Sequence, residues 1–153
     1  KKPPMAASEE MRIGSLKRLE ILDTPPDDRF ERITRLAARL FAVPMAAITL
    51  VDANRQWFKS KQGIALKETA RDVSICGHAI AGNGVFVVAD TLKDPRFADN
   101  PRVTGEPRIR FYAGPPLVLP AGKALHAVDR AAFPLPAARD AGTARRLGLP
   151  VHA

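Results

Sequence analysis

The chain has 153 residues, 46% of them hydrophobic, which suits one domain with a real core and does not suit a disordered tail. No apolar run reaches the ~20 residues that cross a bilayer, and the opening "KKPPMAASEEMRIG" lacks the apolar centre of a secretion signal, so a cytoplasmic setting is expected. The formal charge of +8 comes from Lys and Arg scattered among acids through every segment, with no basic tract, aromatic–basic strand or zinc-finger spacing, so nucleic acid is not the expected partner.

Along the chain, "EEMRIGSLKRLEILD" spaces Ile13, Leu16, Leu19 and Leu22 by threes, which predicts a short helix with one apolar stripe. "DTPPDDRF" then stops one helix and starts another. Thr24 is the expected N-cap, and Asp27 and Asp28 complement the dipole of the new helix. Phe30, Ile33, Leu36, Ala37, Leu40 and Phe41 form the expected buried face of that second helix, which ends before Pro44. The period then changes. "MAAITLVD" and "WFKSK" read as two strands of a hairpin, with Trp57 and Phe58 on opposite faces, and "GIALKETARD" reads as irregular loop. "SICGHAIAGNG" is a short helix with Ser74 as its cap and Gly82 near its end. "VFVVAD" is a further strand, followed by the long loop "TLKDPRFADNPRVTGEP". "RIRFYAG" alternates Ile109, Phe111 and Ala113 with Arg110 and Tyr112, and "PLVLPAGKALHAVD" reads as two strands about a turn. The fold class is α+β with an antiparallel sheet.

Chemistry has few footholds. Cys76 is the only cysteine, and it stands two residues before His78, a spacing that turns the two side chains about 200° apart on a helix. A zinc site lacks further ligands at a recognised spacing, and a Cys–His nucleophile lacks a third, orienting group. Cys76 therefore reads as packing or pocket wall, with an enzymatic role for its thiol as the outlying alternative. "AGNG" is too short for either nucleotide-binding fingerprint. Arg110 and Tyr112 could hold an anionic or aromatic ligand if their face lines a pocket. Asp90 could reach a ligand from the long loop, whose Asp, Asn, Pro and Gly otherwise satisfy its own backbone. Phe58 is the further candidate, on whichever strand face does not enter the core.

Taken in order, "LDTPPDDRF", "LVDANRQWFKS", "SICGHAI" and "DPRFADNPRVTGEPRIRFYAG" resemble bacterial GAF domains, over about residues 12–119. The resemblance is to those found N-terminal in sensor histidine kinases and diguanylate cyclases. It implies an antiparallel sheet of five to six strands, helices on one side, and a pocket under loops on the other. It also implies a non-enzymatic module that binds a small molecule, forms homodimers and relays a signal to an output domain of a two-component or related system. The ligand-binding set expected on this basis is Phe58, Cys76, Asp90, Arg110 and Tyr112, with no cofactor named. The family's methionine sulfoxide reductases need a second, resolving cysteine that this chain does not have. The longer signatures of bilin-binding members and the Asn-Lys-Phe-Asp-Glu signature of cyclic-nucleotide-binding members are absent as well. The alternative is a ligand-free interaction module whose pocket is filled by side chains such as Phe58 and Tyr112. "ALHAVDR" departs from the family's last strand, and the residues after it lack the stripe of the family's closing helix, so both elements are expected to be degraded. The resulting division is a flexible 1–11, a sensory domain at 12–129 and an atypical tail at 130–153.

Overall fold

The computed structural model describes residues 1–5, 7–119 and 124–132, the last stretch by its backbone. Helix α1 spans Glu9–Arg18 and helix α2 Asp28–Phe41. They are followed by β1 (Met45–Val51), β2 (Arg55–Gln62), β3 (Glu68–Ala70) and the one-turn helix α3 (Cys76–Ala79). Then come β4 (Phe86–Val88), the short α4 (Pro101–Thr104), β5 (Phe111–Gly114), β6 (Pro116–Val118) and β7 (Ala124–Ala132). The sheet is antiparallel throughout, in the order β3-β2-β1-β7-β5-β4, with β6 also paired to β7.

One expectation about the ends is corrected. The last strand is not degraded: β7 pairs with β1 along one edge and with β5 and β6 along the other, at the centre of the sheet. A ladder position needs only backbone N–H and C=O groups, which "ALHAVDRAA" supplies whatever its side chains. Among the described residues six strands form one continuous path, as the α+β reading expects, with β6 paired to β7 beside it. At the other end α1 begins at Glu9, whose side chain is largely buried. The closing helix lies outside the described residues.

The helices α1 and α2 cover one sheet face. Leu16, Leu50 and Trp57 form a cluster there, with Ile21, Leu22 and Leu119 packed against it. Helix α1 stops sooner than its stripe suggests, because Glu20 adopts a left-handed φ of 54°. Helix α2 is capped by Asp27, whose side chain accepts from Arg29 N at 3.0 Å, and not by Thr24. The buried positions of α2 are Thr34 and Ala37, whereas Ile33, Leu36 and Leu40 are about half exposed or more. What seats this helix is polar. The Thr34 and Ser60 hydroxyls share a hydrogen bond of 2.7 Å, and Gln62 Nε2 donates to Thr34 Oγ1 at 3.2 Å.

Strand β2 carries the register shift that makes this possible. Ile48 pairs with Ser60 and Thr49 with Phe58, leaving Lys59 as the extra residue of a bulge. Lys59 and Ser60 therefore both reach the helix side, where Lys59 Nζ donates to Thr24 Oγ1 and Pro25 O, each at 2.8 Å. Trp57 joins the helix-side cluster and Phe58 points to the other face, as the strand reading expects. That other face carries the larger core, built of Val51, Ile75, Cys76, Ala79, Ile80, Val88, Phe97, Val103 and Tyr112.

Candidate functional site

A cavity of about 70 Å³ lies between this second sheet face and two covering segments. Met45, Gln56, Phe58 and Tyr112 come from the sheet. Ile64, Leu66, Thr69 and the run Val73–Cys76 come from one cover, and Arg102, Pro107 and Ile109 from the other. The covers are joined to each other and to the sheet by specific bonds. Asn100 Nδ2 donates to Val73 O at 3.0 Å, while Asn100 Oδ1 caps α4 by accepting from Arg102 N at 2.9 Å. The Ser74 hydroxyl donates to Gln56 Oε1 on β2 and accepts from Gly77 N at 2.9 Å. Ser74 thus does the work of a cap for α3, although the helix itself starts with Ile75 at the cap position. The expected loop at 63–72 includes β3, which holds Thr69 at the cavity by pairing with Gln56.

Three of the five expected ligand residues, Phe58, Cys76 and Tyr112, line this cavity. The other two do not. Arg110 precedes β5, and its Nη1 donates to Val103 O at 2.8 Å. The alternation that would have put it beside Tyr112 is broken, because Arg108 has a left-handed φ of 56° and the strand starts only at Phe111. Asp90 turns into its own loop, accepting from Leu92 N at 3.1 Å. Arg102 was not expected at the cavity, and nothing in "DNPRVTG" signals it. Its position follows from where α4 docks.

Cys76 and His78 diverge, as the helical spacing requires. Cys76 faces the cavity and core, and His78 packs edge-on against Phe97 with centroids 4.7 Å apart and stacks on Phe86 at 6.4 Å. Burial holds the His78 imidazole below its ordinary pKa, against the opposing effect of a 3.4 Å contact between Nδ1 and Ser74 O. A neutral ring in an aromatic stack is packing chemistry. Among the described residues no group of three or more His, Cys, Asp or Glu side chains could hold a metal ion, and no helix is long and apolar enough to cross a membrane.

The covering segment is also wired to the opposite face. Arg71, directly after β3, donates to Glu9 of α1 and, at 3.0 Å, to Asp52 O. Arg12 binds the same carboxylate through Nε at 2.9 Å and Nη2 at 2.6 Å. Burial alone would raise the Glu9 pKa, but the hydrogen bonds from Arg12 and Arg71 outweigh it and bring it to about 2.

Comparison with known proteins agrees with this architecture. A cyclic di-GMP phosphodiesterase of Pseudomonas aeruginosa is 46% identical over 120 residues, which is 78% of this chain. The match spans only 20% of that protein's length. Among solved structures, a free methionine-R-sulfoxide reductase of Neisseria meningitidis superposes with a TM-score of 0.60 at 19% identity, covering 95% of this chain and 88% of that one. The GAF domain of an Acinetobacter phosphoenolpyruvate-protein phosphotransferase gives 0.57 at 15% identity, covering 90% and 97%. At such identities these two speak for the fold alone. The GAF domain model matches residues 25–128, and the chain belongs to the GAF domain family.

Proposed function

We propose that this domain is a non-enzymatic sensor that binds a small molecule in the covered cavity and relays the event to an output domain elsewhere in a longer cytoplasmic protein. GAF domains are sensory and regulatory modules, and the 46% identical relative suggests an output of the phosphodiesterase kind in place of the kinase or cyclase that the sequence alone brings to mind. The observation that carries the reading is the double attachment of the cavity's cover. The segment containing Thr69 and Val73–Cys76 forms one wall, and Arg71 within it is paired to Glu9 on α1, across the sheet edge. A ligand that reorders this wall would change the packing of α1, and through it a homodimer contact in the full-length protein.

The test is a thermal-shift and calorimetric panel of small metabolites on the native chain and on Phe58→Trp, which fills the cavity. A ligand that raises the melting temperature of the first and not of the second supports the reading.

A cavity of about 70 Å³ also favours a second reading, since ligand pockets usually run to about 300 Å³ or more. In that reading Phe58 and Tyr112 close the space and the domain is a ligand-free interaction module. No response to any member of the panel would decide for it.

A further inference from the structure

Among the described residues Arg102 is the one charged side chain lining the cavity, and its Nε is buried with no hydrogen-bond partner. The other well-buried or half-buried arginines are committed elsewhere among the described residues. Arg12 and Arg71 share Glu9, Arg55 holds Asp23 and Glu68, Arg96 holds Asp94, and Arg110 donates to Val103 O. Arg12 Nη1 and Arg71 Nη2 are also buried without partners, but each of those guanidinium groups has a carboxylate, and neither residue lines the cavity.

The backbone of Arg102 is fixed on both sides. Its N–H is capped by Asn100, and its carbonyl accepts from Ile109 N at 2.9 Å. A buried donor without an acceptor costs stability, and a carboxylate accepting from the edge of a guanidinium removes that cost while forming a charge-assisted pair. The remaining walls are mainly apolar: Phe58, Ile64, Ile75, Ile109 and Tyr112 offer contacts to hydrocarbon and no second charge. The volume of about 70 Å³, roughly two waters at ~30 Å³ each, limits a ligand to a handful of heavy atoms.

We propose that the cavity takes a small aliphatic carboxylate of ~3–4 carbons, its oxygens held by the Arg102 guanidinium and its alkyl part packed against Phe58, Ile75 and Tyr112. This rests on the ligand-sensing reading above and adds the ligand's class. An inorganic anion would leave the apolar walls without a partner, and a neutral acceptor could meet Nε without pairing the guanidinium charge.

The experiment measures the melting temperature and binding isotherm of the chain with propionate and butyrate. Propionamide, butyramide and bicarbonate at equal ionic strength are the comparisons. Butyrate is expected to stabilise the native chain, butyramide and bicarbonate are not, and Arg102→Gln is expected to weaken butyrate binding at least tenfold. Arg102→Leu is expected to raise the melting temperature of the ligand-free chain while abolishing the response to butyrate, a split that a purely structural role would not produce. Butyramide or bicarbonate acting as well as butyrate overturns the carboxylate assignment, as does unchanged binding in Arg102→Gln. If the variants do not fold, the acid–amide comparison in the native chain decides alone. Should the carboxylates fail while other members of the metabolite panel bind, this inference falls and the sensor reading stands; if nothing binds, both fall.

Discussion

Glu9 is one carboxylate between two buried guanidinium groups, and its worth depends on its charge. Its pKa of about 2, against an ordinary 4.5, means the folded chain binds this proton less readily than the unfolded one. The stabilisation is complete above pH 4.5 and is lost as the pH falls toward 2, and acid titration of the native chain should show that slope. Glu9→Gln removes the charge while Arg12 and Arg71 stay buried, and should cost ~3–5 kcal/mol in urea unfolding at pH 7, with the acid slope flattened. His78 behaves in the same sense for a different reason. Burial keeps its folded pKa below the ordinary 6.5, so protonation favours the unfolded chain and stability declines as the pH drops through and below 6.5. His78→Phe, which can keep the contacts to Phe86 and Phe97, should abolish that decline in melts taken between about pH 7.5 and 5.5. Neither contact could be read from the sequence: Glu9 and Arg71 stand 62 positions apart, and no local pattern pairs them.

Among the elements, α2 shows most clearly where periodicity misleads. The 3.6-residue period correctly marks a helix, but it does not say which stripe meets the sheet. Hydroxyl and amide groups on Thr34, Ser60 and Gln62 fix the seating, and Ile33, Leu36 and Leu40 are left on the outer side. Leu36→Lys should therefore change the unfolding free energy by less than ~0.5 kcal/mol. Thr34→Val, nearly the same shape as the native residue, should cost ~1–3 kcal/mol because Ser60 and Gln62 lose their partner. The turn after β2 is stricter. Gly63 has a φ of 70°, and a Cβ there would lie 2.0 Å from the Pro44 carbonyl oxygen. Gly63→Ala should lower stability by at least ~2 kcal/mol, read as a drop in the denaturant midpoint.

For the whole molecule, the two long helices, the β1–β2 hairpin, the antiparallel sheet and the opposite facing of Trp57 and Phe58 were legible, because alternation and helix signals are local, whereas β3 and α4 lay within expected loops. Part of the cavity was legible for the same reason. Phe58, Cys76 and Tyr112 sit in elements the sequence marks, whereas Arg102 sits in a short helix inside an expected loop, and Arg110 and Asp90 sit outside regular elements. The fate of "ALHAVDRAA" was not legible from composition, since its place is set by what β1 and β5 leave open between them.

That central place for β7 has a consequence in time. The ribosome delivers β1–β2–β3 first and β4–β5 later, and the two halves have no ladder between them until residues 124–132 emerge. Through that interval β1 presents an unpaired edge whose partner is still about seventy residues away in synthesis, so closure depends on a contact of long loop length and folds slowly for that reason. A chain stopped after Leu119 should show no cooperative thermal transition in circular dichroism, and supplying 124–132 as a separate peptide should restore one. Among the described residues, the last strand to be made is the keystone of the sheet.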